Sequence, residues 1–364
     1  MLRFLHCADI HLTRLEDRDY SLAVFQEIVE LASAREVHAL LISGDLFDSH
    51  ADAQALVPVV RELVRDFEGD ILFIPGNHEA LRDKGLGLSA FDFGKIELFE
   101  DLPCSLIQRQ YDGEVVEFLL IPHARSYDDF ASWEVPAPGG IPRIALAHGV
   151  VEGMAYAGPD GEEGGTAIDP LLFTRFGVNY AALGHIHARR AVTSGNCRLA
   201  YPGSARVWRK GEADARGVLF LEVENAHPAP HIRVNFLDLP AAGRYRRVAV
   251  PVELDGSLPP NLHALDCSSQ DVLELALSGV VEDEKFLARN CERLHSNLEA
   301  RVRRLLIDRD QVAALPGIAT QPLARDFLQI WEQEFASNPD MEQQLLRARS
   351  IFLDEMRQML GGRR

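Results

Sequence analysis

Five short segments of this chain carry residue types that bind metal ions and move protons. In order they are Asp9-Ile10-His11, Gly44-Asp45-Leu46-Phe47-Asp48, Gly76-Asn77-His78-Glu79, His148-Gly149 and Gly184-His185-Ile186-His187. Carboxylate and amide oxygens mixed with imidazole nitrogens suit borderline divalent ions such as manganese, iron or zinc. No thiolate belongs to the set, which argues against a structural zinc site. In D-x-H and H-x-H, residues i and i+2 leave an extended backbone on the same side, so each pair offers two ligands to one small volume. The glycines before Asp45, Asn77 and His185 are expected to allow backbone turns that a side chain would obstruct.

Two ions about 3.5–4 Å apart need a bridging ligand, and a carboxylate suits that task. Asp45, central in the set, is the candidate bridge. Such a centre binds phosphoryl oxygens and lowers the pKa of a shared water, whose hydroxide then attacks phosphorus in line with the leaving oxygen. His78 adjoins a ligand instead of joining the ligands. It is therefore free to protonate the leaving group or to stabilise transition-state charge. One G-D or N-H pair arises by chance in any long chain; five elements in order, each closing an apolar run, form the signal.

The runs themselves say what must hold these residues. Residues 2–8, 38–43 and 71–74 are apolar and stop at Asp9, Gly44-Asp45 and Pro75-Gly76-Asn77-His78. Between them Leu22, Phe25, Ile28, Val29 and Ala32, then Leu56, Val59, Val60, Leu63 and Val64, recur at helical spacing. This alternation implies α/β architecture with a parallel, doubly wound sheet in the first half. Later runs at 117–121, 143–147 and 179–183 lead to the remaining histidines, and 217–223 follows the turn Tyr201-Pro202-Gly203-Ser204. In open α/β sheets sites form beyond the carboxyl ends of strands, where all of these residues fall. Other histidines read differently: His6 alternates with Phe4 and Ala8 and is expected in the core, while His227, His231, His263 and His295 are expected at the surface.

Composition bounds the rest. The 364 residues are 47% hydrophobic and 25% charged, as in ordinary globular protein. The five cysteines are scattered and never spaced C-x-x-C, so reduced thiols in a cytoplasmic protein are expected rather than a disulfide framework. No apolar stretch approaches the roughly 18 residues of a membrane span, and Met1–Ala8 is too short for a signal peptide. The formal charge is −18; residues 1–240 hold 21 Lys/Arg against 36 Asp/Glu, and residues 241–364 hold 16 against 19. That acidity does not argue for a polyanionic partner. A local basic cluster does: Arg189, Arg190, Arg206, Arg209 and Lys210 lie close to two ligand loops, and Trp208 among them could stack on a base.

A composition change near Pro240-Ala241-Ala242-Gly243 marks a boundary. Beyond it, strands are expected at 244–254, 271–281 and 300–307 and a helix at 284–298. Leu315–Thr320 reads as a link to two amphipathic helices. The division is therefore 1–240, 241–312 and 313–364. Glu152–Gly165 reads as a long exposed loop.

The five segments resemble the calcineurin-like metallophosphoesterase superfamily over about residues 1–223. Gly44-Asp45-Leu46-Phe47-Asp48, His148-Gly149 with Glu152-Gly153, and Tyr201-Pro202-Gly203-Ser204 after the H-x-H pair resemble the branch of SbcD-type DNA repair nucleases. The resemblance implies a sandwich of two mixed β-sheets flanked by helices, a small α+β cap that contacts DNA, and a helical tail that docks an SbcC-like ATPase. It implies one ion on Asp9, His11, Asp45 and His187, another on Asp45, Asn77, His148 and His185, and His78 as the catalytic histidine. Asp48 occupies a second catalytic position, where some members carry histidine. Manganese is the implied ion, DNA ends are the implied substrate, and a homodimer is left open. The alternative is a phosphodiesterase or phosphatase acting on a small nucleotide or a phosphoprotein.

Overall fold

The structure, a computed structural model, describes residues 1–79, 87–154, 165–225 and 230–361. Most of the Gly-rich stretch expected as a loop (155–164), and His227, lie outside the described residues. Two compact units divide the chain, Met1–Arg244 and Tyr245–Arg364.

The first unit begins with β1 (Leu2–Cys7), α1 (Arg18–Ala34), β2 (Ala39–Ser43), α2 (His50–Val64), β3 (Asp70–Ile74) and β4 (Ile96–Leu98). It continues through β5 (Ser105–Tyr111), β6 (Glu114–Ile121), β7 (Arg143–His148), the short pair β8 (Val150–Val151) and β9 (Ala167–Ile168), and α3 (Leu171–Arg175). It closes with β10 (Tyr180–Gly184), β11 (Arg190–Ser194), β12 (Cys197–Tyr201), β13 (Gly217–Glu224) and β14 (His231–Asp238). Two six-stranded sheets result, ordered β14-β13-β1-β2-β3-β4 and β11-β12-β10-β7-β6-β5. In each, four adjacent strands run parallel; β13 and β14 in one sheet, and β11 and β5 in the other, run antiparallel to their neighbours. The alternation of strands and helices thus continues into two mixed sheets, since β5–β12 build a second layer.

Alternation along the strands explains why the runs are apolar throughout. Phe4, Leu41, Leu72 and Ile74 of the first sheet share one cluster with Phe118, Ile144, Leu146 and Ala182 of the second. The intervening residues Leu5, Cys7, Leu40, Ile42, Ile71 and Phe73 face α1 and α2. On the other side Ala145, Ala147, Ala181 and Leu183 face Leu172 and Phe173 of α3. The inner parallel strands of each sheet are buried on both faces. Along α1, Leu22, Phe25, Ile28, Val29 and Ala32 are buried at the spacing expected.

The second unit holds β15 (Tyr245–Val252), β16 (Val272–Val281), α4 (Glu284–Leu298) and β17 (Arg304–Ala314). It ends in α5 (Leu315–Ala319), α6 (Pro322–Ser337) and α7 (Glu342–Gly361). The three strands form a parallel sheet in the order β15-β16-β17. Its two faces have separate cores: Leu273, Leu275, Leu277 and Val281 pack with α4, whereas Val280 packs with Ile318, Ala324, Leu353 and Met356. Two expectations differ here. The last strand starts at Arg304, after a short turn at Glu299–Arg301. The stretch read as a link forms α5, because Pro316 falls in the first turn, where no backbone N–H is missed, and Ile318 is buried. Among the described residues no helix is long and apolar enough to cross a membrane.

Candidate metal centre

The ligand segments continue directly from strand ends and are stitched to one another. After β1, Asp9 N donates to Gly44 O (3.1 Å), Ile10 N and His11 N to Asp45 O (2.9 and 3.0 Å), and Leu12 N to Leu46 O (2.8 Å). On the second sheet Gly149 N donates to Gly184 O (3.1 Å). The sheets meet here too: Ser43 Oγ donates to Ala182 O (2.9 Å), and His185 N donates to the Asp9 carboxylate (2.9 Å to Oδ1). Asp9, His11, Asp45 and His185 all have positive φ, between 50° and 103°. Non-glycine residues seldom take that region, and such strain gathers where a site over-determines the backbone.

Gly44 has φ +89°, so its glycine serves a turn as expected. Gly184 does not take a left-handed conformation; a Cβ there would run into the carbonyl oxygen of Ser43. At that position glycine is needed for the close approach of the two sheets.

Seven side chains converge. Asn77 Oδ1 lies 2.9 Å from His148 Nε2 and 3.0 Å from His185 Nδ1. Asp45 Oδ2 is 3.5 Å from His148 Nε2 and 3.9 Å from His11 Nε2, so one carboxylate reaches both halves of the cluster. His11 Nε2 and His187 Nε2 are 3.1 Å apart. Donor atoms of Asp9, His11 and His187, and of Asp9, Asp45 and His148, fall within 4.8 Å of one another. Tautomers are favourable: His148 Nδ1 lies 2.9 Å from Ser43 O, and a proton there leaves Nε2 with its lone pair toward the cluster. Oxygen and imidazole donors converging from opposite sides, with one carboxylate between them, fit two divalent ions.

Electrostatics divide the histidines of this cluster. Burial lowers His11 and His185 to about 3, which keeps both imidazoles neutral, as metal donors must be. Burial opposes the charge on His148 and on Asp45, but their mutual attraction outweighs it. His148 rises to about 9 and Asp45 falls well below the usual carboxylate range.

His78 stands beside this cluster, partly exposed. Its Nδ1 is 2.9 Å from Asp48 O, and its backbone N–H donates to Asp45 Oδ1 (3.0 Å). Asp48 Oδ1 lies 3.3 Å from His11 Nδ1 and 3.7 Å from His78 Nδ1, so this carboxylate touches one ligand and one neighbour of the ligands.

Several supporting residues were not foreseen. Glu79, fully buried, accepts from Gly76 N (2.9 Å), Asp45 N (3.1 Å) and Phe47 N (2.7 Å), clasping two ligand loops together. Burial, then the charge of Asp45, raises its carboxyl to about 8. Its place directly after Asn77-His78 was the available signal. Arg206, expected in a basic surface cluster, is only 2% exposed and donates to Ile10 O (2.9 Å) and His11 O (2.6 Å). It secures the first ligand loop. Trp208 stacks on His11, with ring centroids 4.1 Å apart and planes 2° from parallel. Arg189 lies over Phe236 and Arg209 over Trp208, at 4.0 and 4.4 Å from the ring centres. Outside the centre, His6 is buried as expected, with Nδ1 3.0 Å from the Tyr180 hydroxyl oxygen.

Comparison with known proteins identifies the family. The sequence matches the calcineurin-like phosphoesterase family over residues 2–189, more than half of the chain. The chain belongs to that family. Its members hydrolyse phosphoester bonds at a dinuclear divalent-metal site. The chain is similar to the DNA double-strand break repair protein Mre11 of Saccharolobus solfataricus, at 29% identity over 230 residues, covering 59% of this chain and 57% of that protein. It is also similar to the uncharacterized metallophosphoesterase YhaO of Bacillus subtilis, at 23% identity over 243 residues, covering 62% and 58%. It therefore spans less than two thirds of either relative. Among solved structures, a dimetal phosphatase from Danio rerio matches 65% of this chain and 98% of its own, with TM-score 0.43 and 11% identity.

Proposed function

We propose that this phosphoesterase is an SbcD-type nuclease that hydrolyses phosphodiester bonds at DNA ends in repair, with manganese as the working ion and an SbcC-like ATPase as partner. The observation that carries the hydrolytic part is the convergence of seven ligand-type side chains from five strand ends, with Asp45 within reach of both halves. Asp9, His11, Asp45 and His187 would hold one ion, and Asp45, Asn77, His148 and His185 the other. Two divalent ions bound there supply Lewis acidity and a water of lowered pKa. A proton on His78 Nδ1 would be held by the Asp48 carbonyl, so Nε2 is the nitrogen that, when it too carries a proton, would donate it to the leaving oxygen. Asp48 acts through its neighbours: its carboxylate orients His11 and its carbonyl orients His78.

The DNA part is supported by the similarity to a double-strand break repair protein and by the motif details of the second, fourth and last segments. The ATPase part is supported by the apolar side chains exposed on the last two helices, Leu323, Ile330, Leu346, Ile351 and Met359. Five free cysteines support a reducing compartment, the cytoplasm. The net charge of −18 favours a second reading, a phosphodiesterase or phosphatase for a small nucleotide or a phosphoprotein.

A manganese-dependent assay on duplex ends, single strands and bis-p-nitrophenyl phosphate separates the two. Duplex ends are expected to turn over faster than the small ester, and His78→Ala to slow hydrolysis about 10²–10⁴-fold, the usual worth of a general acid. DNA turnover no faster than that of the ester would sink the nuclease reading. Activity untouched by His78→Ala would remove the role given to His78.

A further inference from the structure

Glu212 lies in the loop between β12 and β13, away from all five ligand segments, yet its carboxylate reaches the centre from behind. Its Oε1 is 2.7 Å from His187 Nδ1. Its Oε2 accepts from the backbone N–H of Trp208 (2.8 Å) and of Arg209 (3.1 Å). Arg216 Nη1 approaches Oε2 at 3.9 Å and also donates to His187 O (2.9 Å) and Ser204 Oγ (2.8 Å). The glutamate side chain is 10% exposed. Trp208, whose turn it holds, stacks on His11 and has His187 5.2 Å and His78 5.6 Å from its ring centre.

Both halves of the carboxylate therefore act on the same wall of the site. A carboxylate facing Nδ1 accepts the imidazole proton there, which leaves Nε2 as a lone pair pointing at His11. The other oxygen anchors the turn that lays the indole against His11. We propose that Glu212 is a positioning residue of the metal centre: it keeps the His187 proton on Nδ1 and holds Trp208 as the aromatic wall over His11 and His187. This rests on the metal-centre reading for its consequence, though not for its geometry. A bland role is also available, that of a buried counter-ion for Arg216, and the two differ in what glutamine does. In Glu212→Gln the single amide oxygen is drawn to the two backbone N–H groups, so the amide NH2 faces Nδ1. That favours the Nε2–H tautomer, which cannot ligate.

The test uses the full chain labelled with 15N-histidine, with His187 assigned by His187→Gln. Long-range 1H–15N spectra of the metal-free protein should give His187 as Nδ1–H in the wild type, as Nε2–H in Glu212→Gln, and again as Nδ1–H in Glu212→Asp. Manganese titration should follow: two ions per wild-type chain, and about 10–100-fold weaker binding in Glu212→Gln, the usual effect of losing a partner behind a ligand. Manganese should also quench Trp208 fluorescence, isolated by subtracting Trp208→Phe, less in Glu212→Gln than in the wild type. Nε2–H in the wild type overturns the proposal, whether or not the variants fold. So does Glu212→Gln with an unchanged tautomer and unchanged affinity but a lowered melting temperature, which is the counter-ion result. A wild-type chain that binds no manganese would instead fail the metal-centre reading, while the tautomers would still decide the role of Glu212.

Discussion

Histidine does different work in this protein according to what surrounds each ring. His148, His185, His187 and His11 converge with carboxylates, whereas His6 is buried among apolar residues beside the Tyr180 hydroxyl. Burial holds the His6 imidazole down to about 3, against about 6.5 in an unfolded chain. Below pH 6.5 the unfolded chain gains a proton that the folded chain refuses. Stability is therefore lost as pH falls from about 6.5 to about 3, by up to about 1.4 kcal/mol per pH unit. Urea unfolding of metal-free protein between about pH 4 and 8 should show a shallower pH dependence for His6→Phe than for the wild type. Equal slopes would mean that His6 does not titrate in this way. At the same scale Asp48 and Glu79 show how much of the centre is arranged by groups that need not touch substrate.

Each ligand pair is placed by a strand that stops at the right point, and the strands are placed by their two buried faces. Sheet-to-sheet distance is what allows ligands from β1–β3 to meet ligands from β7 and β10. Gly184 sits at a close approach of the sheets, where a Cβ would run into Ser43 O. Gly184→Ala is expected to push the two sheets apart and to cost about 3 kcal/mol, the upper part of the range for overpacking. Thermal unfolding measures the loss, and manganese titration of the same variant should show weakened binding. Unchanged stability would mean that the sheets yield here without strain. The basic cluster around Trp208 is also redistributed at this scale. Arg206 turns inward to hold the first ligand loop, so nucleic-acid contact cannot be counted from sequence proximity.

At the scale of the whole molecule, two units carry separate cores, and each must satisfy its own apolar surface. In the second, α6 and α7 form a hairpin closed by Phe327 on Phe352 (3.7 Å) and by Trp331 Nε1 donating to Leu345 O (2.7 Å). One face of that hairpin covers Val280 through Leu353 and Met356, while Ile330 and Ile351 stay exposed, at 61% and 56%. The tail therefore has two separable surfaces. Leu353→Ala should destabilise this unit by about 2–5 kcal/mol, as core truncations do. Ile330→Glu with Ile351→Glu should change its stability by less than about 0.5 kcal/mol each and leave hydrolysis unchanged. The double variant should nonetheless lose association with the proposed SbcC-like ATPase in a pull-down of the two purified proteins. Retained association would direct the search to another surface.

The identity and order of the side chains that converge, the strands that end in them and the helices between were legible in the sequence. Periodicity and strand-end punctuation are local properties, and local pattern carries them. The two-sheet sandwich was expected from the family resemblance and is present, whereas the burial of Arg206, the clasp of Glu79 and the reach of Glu212 to His187 were decided by tertiary structure. Those contacts join residues 25 to 196 positions apart, and nothing in a local pattern reports which loop lies behind which. The constellation of converging carboxylates, amide and imidazoles was thus written in residue types and spacing. The orientation of its side chains, and with it the chemistry each nitrogen can do, came only from the packing of two sheets against each other.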